Sequence, residues 1–170
     1  MQQHQRWMAH AMALAAKAEQ LGEVPCGAVL VLGEQIIAEG YNRCITDNDP
    51  TAHAEIQVLR QAGKVLDNYR LLDTTLYITL EPCPMCAGAI VHGRVGKVVF
   101  GAPDLKTGAA GTVMNLLDDP RLNHWPEVIG GVMQAECGEQ LSAFFRRRRA
   151  EKKALKQAQR SGLGSESSNS

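Results

Sequence analysis

Apolar residues recur along this chain at two spacings, and segments with one spacing alternate with segments with the other. Near the N-terminus the spacing is three and four, which predicts an amphipathic helix over residues 4–21 with Gly22 as its stop. Its apolar stripe, which we expect in the core, consists of Trp7, Ala11, Leu14, Ala18 and Leu21. Two short apolar runs follow at residues 28–32 and 36–38, and the Gly33-Glu34 step between them predicts a β-hairpin.

The rest of the chain continues this alternation. We predict a helix from His53, a strand over Thr74–Leu80, a helix over Pro84–Gly93, a strand over Lys97–Ala102, a short strand at residues 128–129 and a final helix from about Gln134. The glycine-containing loop 103–111 is expected to lie outside the core. Strands that alternate with helices predict an α/β fold, here a three-layer α/β/α sandwich with a mixed, mostly five-stranded sheet. We expect one domain over residues 1–160 and a disordered, Ser/Gly-rich tail over residues 161–170.

Composition narrows the class of protein. The chain has 170 residues, of which 45% are hydrophobic, as expected for one globular domain. Its polar N-terminus does not resemble a signal peptide, and no apolar run approaches the roughly 18 residues that a membrane helix needs. Five irregularly spaced cysteines argue against a disulfide framework and for a reducing compartment. We therefore expect a cytoplasmic protein without a membrane partner.

The formal net charge of zero hides a strongly basic segment. Residues 141–160 carry eight basic side chains and one acidic side chain. A local excess of this sign suits a polyanion such as nucleic acid. The alternative is a solvated helix end that binds nothing.

Two short motifs carry candidate chemistry. Cys83 and Cys86 form a Cys-x-x-Cys pair, which by itself is compatible with a metal site, disulfide exchange or simple burial. His53 supplies a third ligand of the right softness for zinc, and Glu55 supplies a carboxylate two positions later. Three protein ligands leave one tetrahedral position open, which is typical of a catalytic rather than a structural zinc. His-x-Glu followed by Pro-Cys-x-x-Cys is the signature of zinc nucleobase deaminases.

Both motifs are predicted to lie at the start of a helix. There the backbone amides and the helix dipole favour anions, which lowers the pKa of a thiol. Residues two apart in a regular helix point about 200° apart, so His53 and Glu55 could not both face one centre. A non-helical His53 at the helix start removes this conflict.

Other interpretations of the same residues remain open. Cys83 and Cys86 are compatible with a redox pair, although such a pair does not need His53 and Glu55. A structural zinc would need a fourth ligand from Cys26, Cys44, Cys137 or another histidine, none of which has finger-like spacing. A small-molecule deaminase acting on guanine, cytosine or a deoxynucleotide would share the zinc residues without needing the basic segment. A non-catalytic RNA-binding module would keep zinc for stability and tolerate the loss of Glu55.

Longer motifs show a resemblance to a known family. They are Gly22-Glu23-Val24-Pro25, Thr51-Ala52-His53-Ala54-Glu55, Thr79-Leu80-Glu81-Pro82-Cys83-Pro84-Met85-Cys86, Lys106-Thr107-Gly108-Ala109-Ala110-Gly111 and Phe144-Phe145-Arg146-Arg147-Arg148-Arg149. With these motifs the chain resembles the bacterial tRNA-specific adenosine deaminases, within the cytidine and deoxycytidylate deaminase superfamily. The resemblance implies a cytidine deaminase-like fold, one zinc per subunit and a homodimer. The implied substrate is the wobble adenosine of a tRNA anticodon stem-loop, which becomes inosine.

The resemblance also implies roles for individual residues. His53, Cys83 and Cys86 would bind zinc, and Glu55 would shuttle protons while hydroxide attacks carbon 6 of adenine. Asn42 would bind the flipped nucleoside, and Asp104 and Lys106 would lie near the anticodon backbone. The implied substrate contacts further include Cys26, Ala54, Phe145, Arg146 and Arg149. Cys26 stands where relatives tend to have a larger aliphatic residue, and Pro103 stands at a position that is often polar.

Overall fold

The structure is a computed structural model that describes the backbone of residues 1–166 and the side chains of residues 1–162. In chain order the elements are α1 (Gln2–Gln20), β1 (Gly27–Leu32), β2 (Gln35–Tyr41), α2 (Ala54–Leu66), β3 (Thr74–Leu80), α3 (Pro84–Gly93), β4 (Lys97–Ala102), β5 (Glu127–Ile129) and α4 (Gln134–Glu166), with a short 3-10 turn at Leu116–Asp118 before β5. Each predicted helix and strand is therefore present, with most ends within two residues of the expected positions.

The five strands form one mixed sheet in the order β2-β1-β3-β4-β5. β1 runs antiparallel to both β2 and β3, while β3 and β4, and β4 and β5, are parallel. A two-residue turn can join only antiparallel strands, whereas α3 provides the helical crossover that parallel β3 and β4 require. The predicted α/β fold with a mixed five-stranded sheet is confirmed.

Helices cover both faces of the sheet. Alternate residues of β1 point to opposite sides, so Ala28 and Leu30 pack in one core cluster and Val29 and Val31 in another. The first cluster also contains apolar residues of α2 and α3, and the second contains those of α1 together with Cys137 of α4. Trp7, Ala11, Leu14 and Ala18 are buried, as expected from the helical stripe. Leu21 was also expected in the core, but it follows the last residue of α1 and is 47% exposed.

Helix α1 packs against the start of β1 almost backbone to backbone. A Cβ atom on Gly27 would lie 2.0 Å from the carbonyl oxygen of Ala11 and 2.6 Å from the backbone nitrogen of Ala15. Only glycine fits this approach without moving backbone atoms. The contact fixes the chain next to Cys26, one of the candidate site residues.

Loop 103–111 differs from expectation because part of it is buried. Ala109 is fully buried and packs in the core cluster with α2 and α3. The loop can enter the interior because its backbone N–H groups find an acceptor there, the buried carboxylate of Glu81. The expectation that the whole loop lies outside the core was therefore wrong.

Helix α4 continues further than expected. The segment 161–170 was expected to be disordered, but its first six residues are helical and 167–170 lie outside the described residues. Residues 146–160 of α4 are mostly alanine, lysine, glutamine and arginine. Such residues propagate a helix that is already formed. Among the described residues, no helix has both the length and the apolar character that crossing a membrane requires.

Candidate metal centre and active site

The three predicted metal ligands converge on one point. Nδ1 of His53 lies 3.6 Å from Sγ of Cys83 and 3.5 Å from Sγ of Cys86, and all three ligand atoms lie within 4.8 Å of one another. A tetrahedral zinc with Zn–N of roughly 2.0 Å and Zn–S of roughly 2.3 Å would separate nitrogen and sulfur by about 3.5 Å. The side chains present therefore fit a zinc ion, and a fourth coordination position would be open to a small molecule.

No fourth protein ligand joins this group among the residues that the structure describes. Cys26, Cys44 and Cys137 are free thiols outside the cluster. A structural four-ligand zinc site is thus not formed. The geometry instead favours the catalytic type of site, with three ligands from the protein.

Helix starts position the ligands. His53 is the residue before α2 and has an extended backbone, with φ −70° and ψ 156°. Cys83 holds the same place before α3, with φ −74° and ψ 173°, and Pro84 follows as the first helical residue. Because His53 is not helical, its side chain and that of Glu55 can address the same centre, as predicted.

The hydrogen bonds among the three side chains shift their pKa values in different directions, since the bond to Cys83 raises the pKa of Cys86 while Cys83 itself is shifted down. A hydrogen bond from Cys86, together with one from His53, holds the pKa of Cys83 at about 4 despite partial burial. The hydrogen bond with Cys83 in turn raises the pKa of His53. Of the two cysteines, Cys83 is the one shifted toward the thiolate, which is the form that binds zinc.

Glu55 lies beside this cluster and is almost completely inaccessible, with 3% of its surface exposed. Burial raises the pKa of its carboxyl group. Its Oε1 lies 4.0 Å from the thiol of Cys26. A carboxyl group whose pKa moves toward neutrality is suited to take up and release a proton during a reaction.

His53, Cys83 and Glu55 line a cavity of about 600 Å³, within the range typical of small-ligand sites. Its wall is formed by the residues just before β1, the residue after β2, the end of β3, the loop that follows β4, and α4. Five of the residues implied as substrate contacts line it, namely Cys26, Asn42, Asp104, Lys106 and Phe145. The structure thus brings together residues that are up to 119 positions apart in the chain.

Two of the implied substrate contacts have hydrogen-bonding roles within the protein. Oδ1 of Asn42 accepts the N–H of Ala54 at 2.8 Å, so Asn42 caps the start of α2. Ala54 itself is fully buried and does not line the cavity, although it was expected among the substrate contacts. Its observed contribution is the backbone N–H that orients Asn42.

Asp104 is also engaged within its own loop. One carboxylate oxygen accepts the N–H groups of Lys106 at 2.9 Å and Thr107 at 3.1 Å, and the other accepts the hydroxyl of Thr107 at 3.0 Å. Asp104 therefore shapes the turn that presents Lys106. Its sequence context, Asp followed by Lys-Thr-Gly, is compatible with such a turn.

The basic residues of α4 continue the rim of the cavity. Phe145 and Arg149 line a depression together with Lys106, Arg146 and Ser142. Phe144 is buried, whereas Phe145 is 41% exposed at the cavity edge. Arg146 pairs with Glu139 at 2.6 Å, while Arg149 has no ion-pair partner within the described residues.

Sequence reasoning missed two buried carboxylates beside the cavity, Glu23 and Glu81, each 2% exposed. Glu23 accepts the N–H groups of Ile45 and Thr46 and the hydroxyl of Thr46. Hydrogen bonds from Thr46 and Ile45 outweigh the effect of burial and lower the pKa of Glu23. The available signal was their position, since Glu23 and Glu81 each stand inside one of the motifs that carry the family resemblance.

Comparison with known proteins agrees with this geometry. Residues 2–149 match the family model of the MafB19-like deaminases. The tRNA-specific adenosine deaminase of Haemophilus influenzae is 55% identical over 89% of this chain and 88% of its own length, and that of Bacillus subtilis is 54% identical over 92% and 97%.

A solved structure from a study of A-to-I editing by tRNA:A34 deaminases at the wobble position of transfer RNA superposes with a TM-score of 0.78. It is 43% identical and covers 80% of this chain and 99% of its own. The resemblance that the sequence motifs indicated is confirmed, and the chain belongs to the family of tRNA-specific adenosine deaminases.

Proposed function

We propose that this protein converts the wobble adenosine of a tRNA anticodon loop to inosine by hydrolysis, with zinc bound by His53, Cys83 and Cys86. One observation carries the proposal: three ligand atoms with tetrahedral spacing lie beside a buried carboxyl group, Glu55, which lines a cavity with a basic rim. Since tRNA would be the substrate, we propose a cytoplasmic site of action.

The chemistry divides between the metal and Glu55. Zinc at this site would lower the pKa of a water ligand to about 7, which makes a nucleophile available at neutral pH. Glu55 takes a proton from the water and delivers it to the ring nitrogen next to carbon 6. The water oxygen bonds to carbon 6 in the same step. Glu55 then takes the proton of the new hydroxyl group at carbon 6 and delivers it to the amino group, so that the carbon–nitrogen bond breaks, ammonia leaves and a carbonyl group remains. One buried carboxyl group close to the ligands is sufficient for both transfers.

The cavity determines how the substrate must enter. A stacked base cannot reach a buried carboxyl group, so the nucleotide has to leave the stack. Phe145 at the edge offers an exposed aromatic face to a neighbouring base, while Lys106 and Arg149 are placed for backbone phosphates.

Inosine formation tests the proposal directly. Zinc-loaded protein is incubated with an unmodified tRNA that carries adenosine at the wobble position, and with the same tRNA carrying guanosine there, before digestion to nucleosides. Inosine from the first tRNA alone is the expected result. Free guanine, cytidine and deoxycytidylate are assayed in parallel, and turnover of one of these with an unchanged tRNA would replace the proposal with a small-molecule deaminase. Binding of tRNA without any turnover would indicate a non-catalytic RNA-binding module.

We propose that the protein is a homodimer whose contact includes the outer face of α2 and α3. A depression there has an apolar lining that includes Ile56, Leu59 and Ala89, and Tyr69 at the same site is 76% exposed. Tyr69→Glu should place a charge in the contact and give a monomer in sedimentation velocity. Leu155→Glu, at an exposed position on α4, should leave the dimer intact. A parent protein that is monomeric at every concentration would contradict this assembly.

The outer half of α4 is expected to contribute to RNA affinity through charge alone. Lys152, Lys153, Lys156 and Arg160 line one shallow surface, and none has an ion-pair partner among the described residues. Lys152→Gln/Lys156→Gln should weaken binding of the anticodon stem-loop. It should also reduce the slope of log affinity against log salt by about 1 to 2, because each lost phosphate contact removes about 0.7 to 0.9.

A matched double variant provides the control. Lys97→Gln/Arg121→Gln removes the same charge from residues that already pair with Glu127 and Asp119. Filter binding at several salt concentrations should show an unchanged slope for this control. Equal slopes for both double variants would exclude a phosphate-binding role for the helix.

A further inference from the structure

A carboxylate outside the metal centre organises one wall of the cavity. Glu81 follows β3 directly and precedes the Pro82-Cys83 step of the metal motif. Its side chain is 2% exposed and borders the cavity. Within the described part of the chain, its side-chain hydrogen bonds go to residues of the loop that follows β4, rather than to the metal ligands or Glu55.

Four donors of that loop converge on the two oxygens of Glu81. Oε1 accepts the N–H of Asp104 at 3.2 Å and the hydroxyl of Thr112. Oε2 accepts the N–H of Ala110 at 2.9 Å and that of Thr112 at 3.1 Å. A buried N–H without an acceptor is strongly unfavourable. These hydrogen bonds are partly buried, so a group at position 81 that accepts at both of its ends stabilises this path of the loop.

The loop also wraps closely around this carboxylate. A Cβ atom on Gly108 would lie 2.6 Å from both Cδ and Oε1 of Glu81, so only glycine allows the approach. The N–H of Ala109 donates to the carbonyl oxygen of Pro82 at 2.8 Å. Loop and metal motif are thus joined twice, through the Glu81 side chain and through the backbone of the next residue.

Between these anchor points the loop carries two side chains toward the substrate region. Leu105 is 81% exposed, and both Leu105 and Lys106 line the cavity. The hydrogen bonds of Asp104 to Lys106 and Thr107 make this tip a compact turn. The side-chain bonds of Asp104 stay inside the turn, so they do not connect it to the metal motif. Glu81 provides that connection.

We propose that Glu81 is a positioning residue that sets where the tip formed by Leu105 and Lys106 stands relative to the metal centre. We call the hydrogen bonds of Glu81 to the loop that follows β4 the clamp. The identity of the substrate rests on the proposed function, whereas the clamp rests on the hydrogen bonds described above. Glu81 acts on the RNA through Lys106 and does not itself contact the substrate.

Hydrogen exchange tests the clamp without any substrate. Glu81→Gln preserves the shape of the side chain but turns one acceptor end into an amino group that faces N–H donors. Exchange of the Asp104, Ala110 and Thr112 amides should accelerate at least about tenfold, while β3 amides stay protected. Glu23→Gln is the matched control, since that equally buried glutamate accepts from Ile45 and Thr46 instead. Unchanged exchange at the three loop amides in Glu81→Gln would overturn the proposal.

A double-mutant cycle separates positioning from a general structural effect. Glu81→Gln should lower kcat/KM for inosine formation in the stem-loop about 10- to 100-fold, the range typical of residues that orient a site, mainly through KM. Zinc content should be unchanged. In the Lys106→Ala background the same substitution should lose most of its effect, because the group that it positions is gone. Fully additive losses, or loss of zinc, would show that Glu81 does not act through Lys106.

The hydrogen-exchange experiment and the inosine assay separate a failure of the Glu81 clamp from a failure of the proposed function. A parent protein that makes no inosine would overturn the proposed function, and the exchange experiment would still decide whether Glu81 holds the loop. A parent protein that makes inosine while Glu81→Gln leaves both exchange and KM unchanged would overturn only the clamp.

Discussion

Glu55→Gln is expected to abolish inosine formation while zinc stays bound. Glutamine has nearly the same shape as glutamate but cannot take up or release a proton at neutral pH. General acid–base groups typically contribute 10²- to 10⁴-fold, and Glu55 would serve two transfers, so kcat should fall at least about 10³-fold. Single-turnover inosine formation with excess protein measures the chemical step directly.

The same variant should keep the rest of the site. Glu55 is not one of the three converging ligands, so zinc content measured by mass spectrometry should stay near one per chain. Affinity for the stem-loop should change little, because Glu55 is buried and is not one of the residues of the basic depression beside the cavity. A zinc-loaded Glu55→Gln protein with turnover within tenfold of the parent would exclude the shuttle role.

Removal of a metal ligand should have the second large effect, on zinc, on activity and on stability together. Cys86→Ser replaces a fully buried thiol whose Sγ lies 3.5 Å from Nδ1 of His53. Because loss of a residue that merely orients a ligand costs about 10- to 100-fold in metal affinity, loss of a ligand should cost more. Competition with a chromogenic chelator measures this affinity, and inosine formation should fall below detection.

Stability gives an independent measurement of the same site. A ligand present at 1,000 times its dissociation constant stabilises the folded state by about 4 kcal/mol. For a chain of this size that corresponds to a Tm difference of about 8 to 16 °C. A strong chelator should therefore lower the Tm of the parent protein and leave that of Cys86→Ser unchanged.

Cys137→Ser is the matched control, since this buried thiol lies outside the ligand cluster. Its protein should retain zinc and keep the response of Tm to the chelator. If Cys86→Ser bound zinc as tightly as the control, Cys86 would not be a ligand.

The convergence of His53, Cys83 and Cys86 could be predicted because each of the two motifs that carry them is local. His53 and Glu55 are two positions apart, and Cys83 and Cys86 are three apart, each pair at a helix start marked by turn residues or proline. Ligand softness and spacing then indicate the chemistry without knowledge of long-range packing. The strands were predictable for a similar reason, because turn residues bound each short apolar run.

The hydrogen bonds that shape the cavity wall could not be predicted in this way. Glu81 accepts donors that lie 23 to 31 positions later, and Glu23 accepts donors 22 and 23 positions later. No periodicity relates a buried carboxylate to a loop that reaches it only after the sheet has formed. Burial of Ala109 depends on that partnership, which explains why a loop with an ordinary turn composition enters the core.

In the proposed function, the hydrogen bond between Asn42 and Ala54 would also affect which atoms a nucleoside offers to Asn42. A carboxamide has an accepting end and a donating end, and the first N–H of α2 already occupies the accepting end. The NH₂ group of Asn42 is therefore the end available to a ligand in the cavity. It would donate a hydrogen bond to an oxygen or nitrogen lone pair of the ribose or the base and would not accept one from an N–H group. Selectivity at this position would then follow from the orientation of one amide group, which the hydrogen bond from the backbone of Ala54 sets before any ligand arrives.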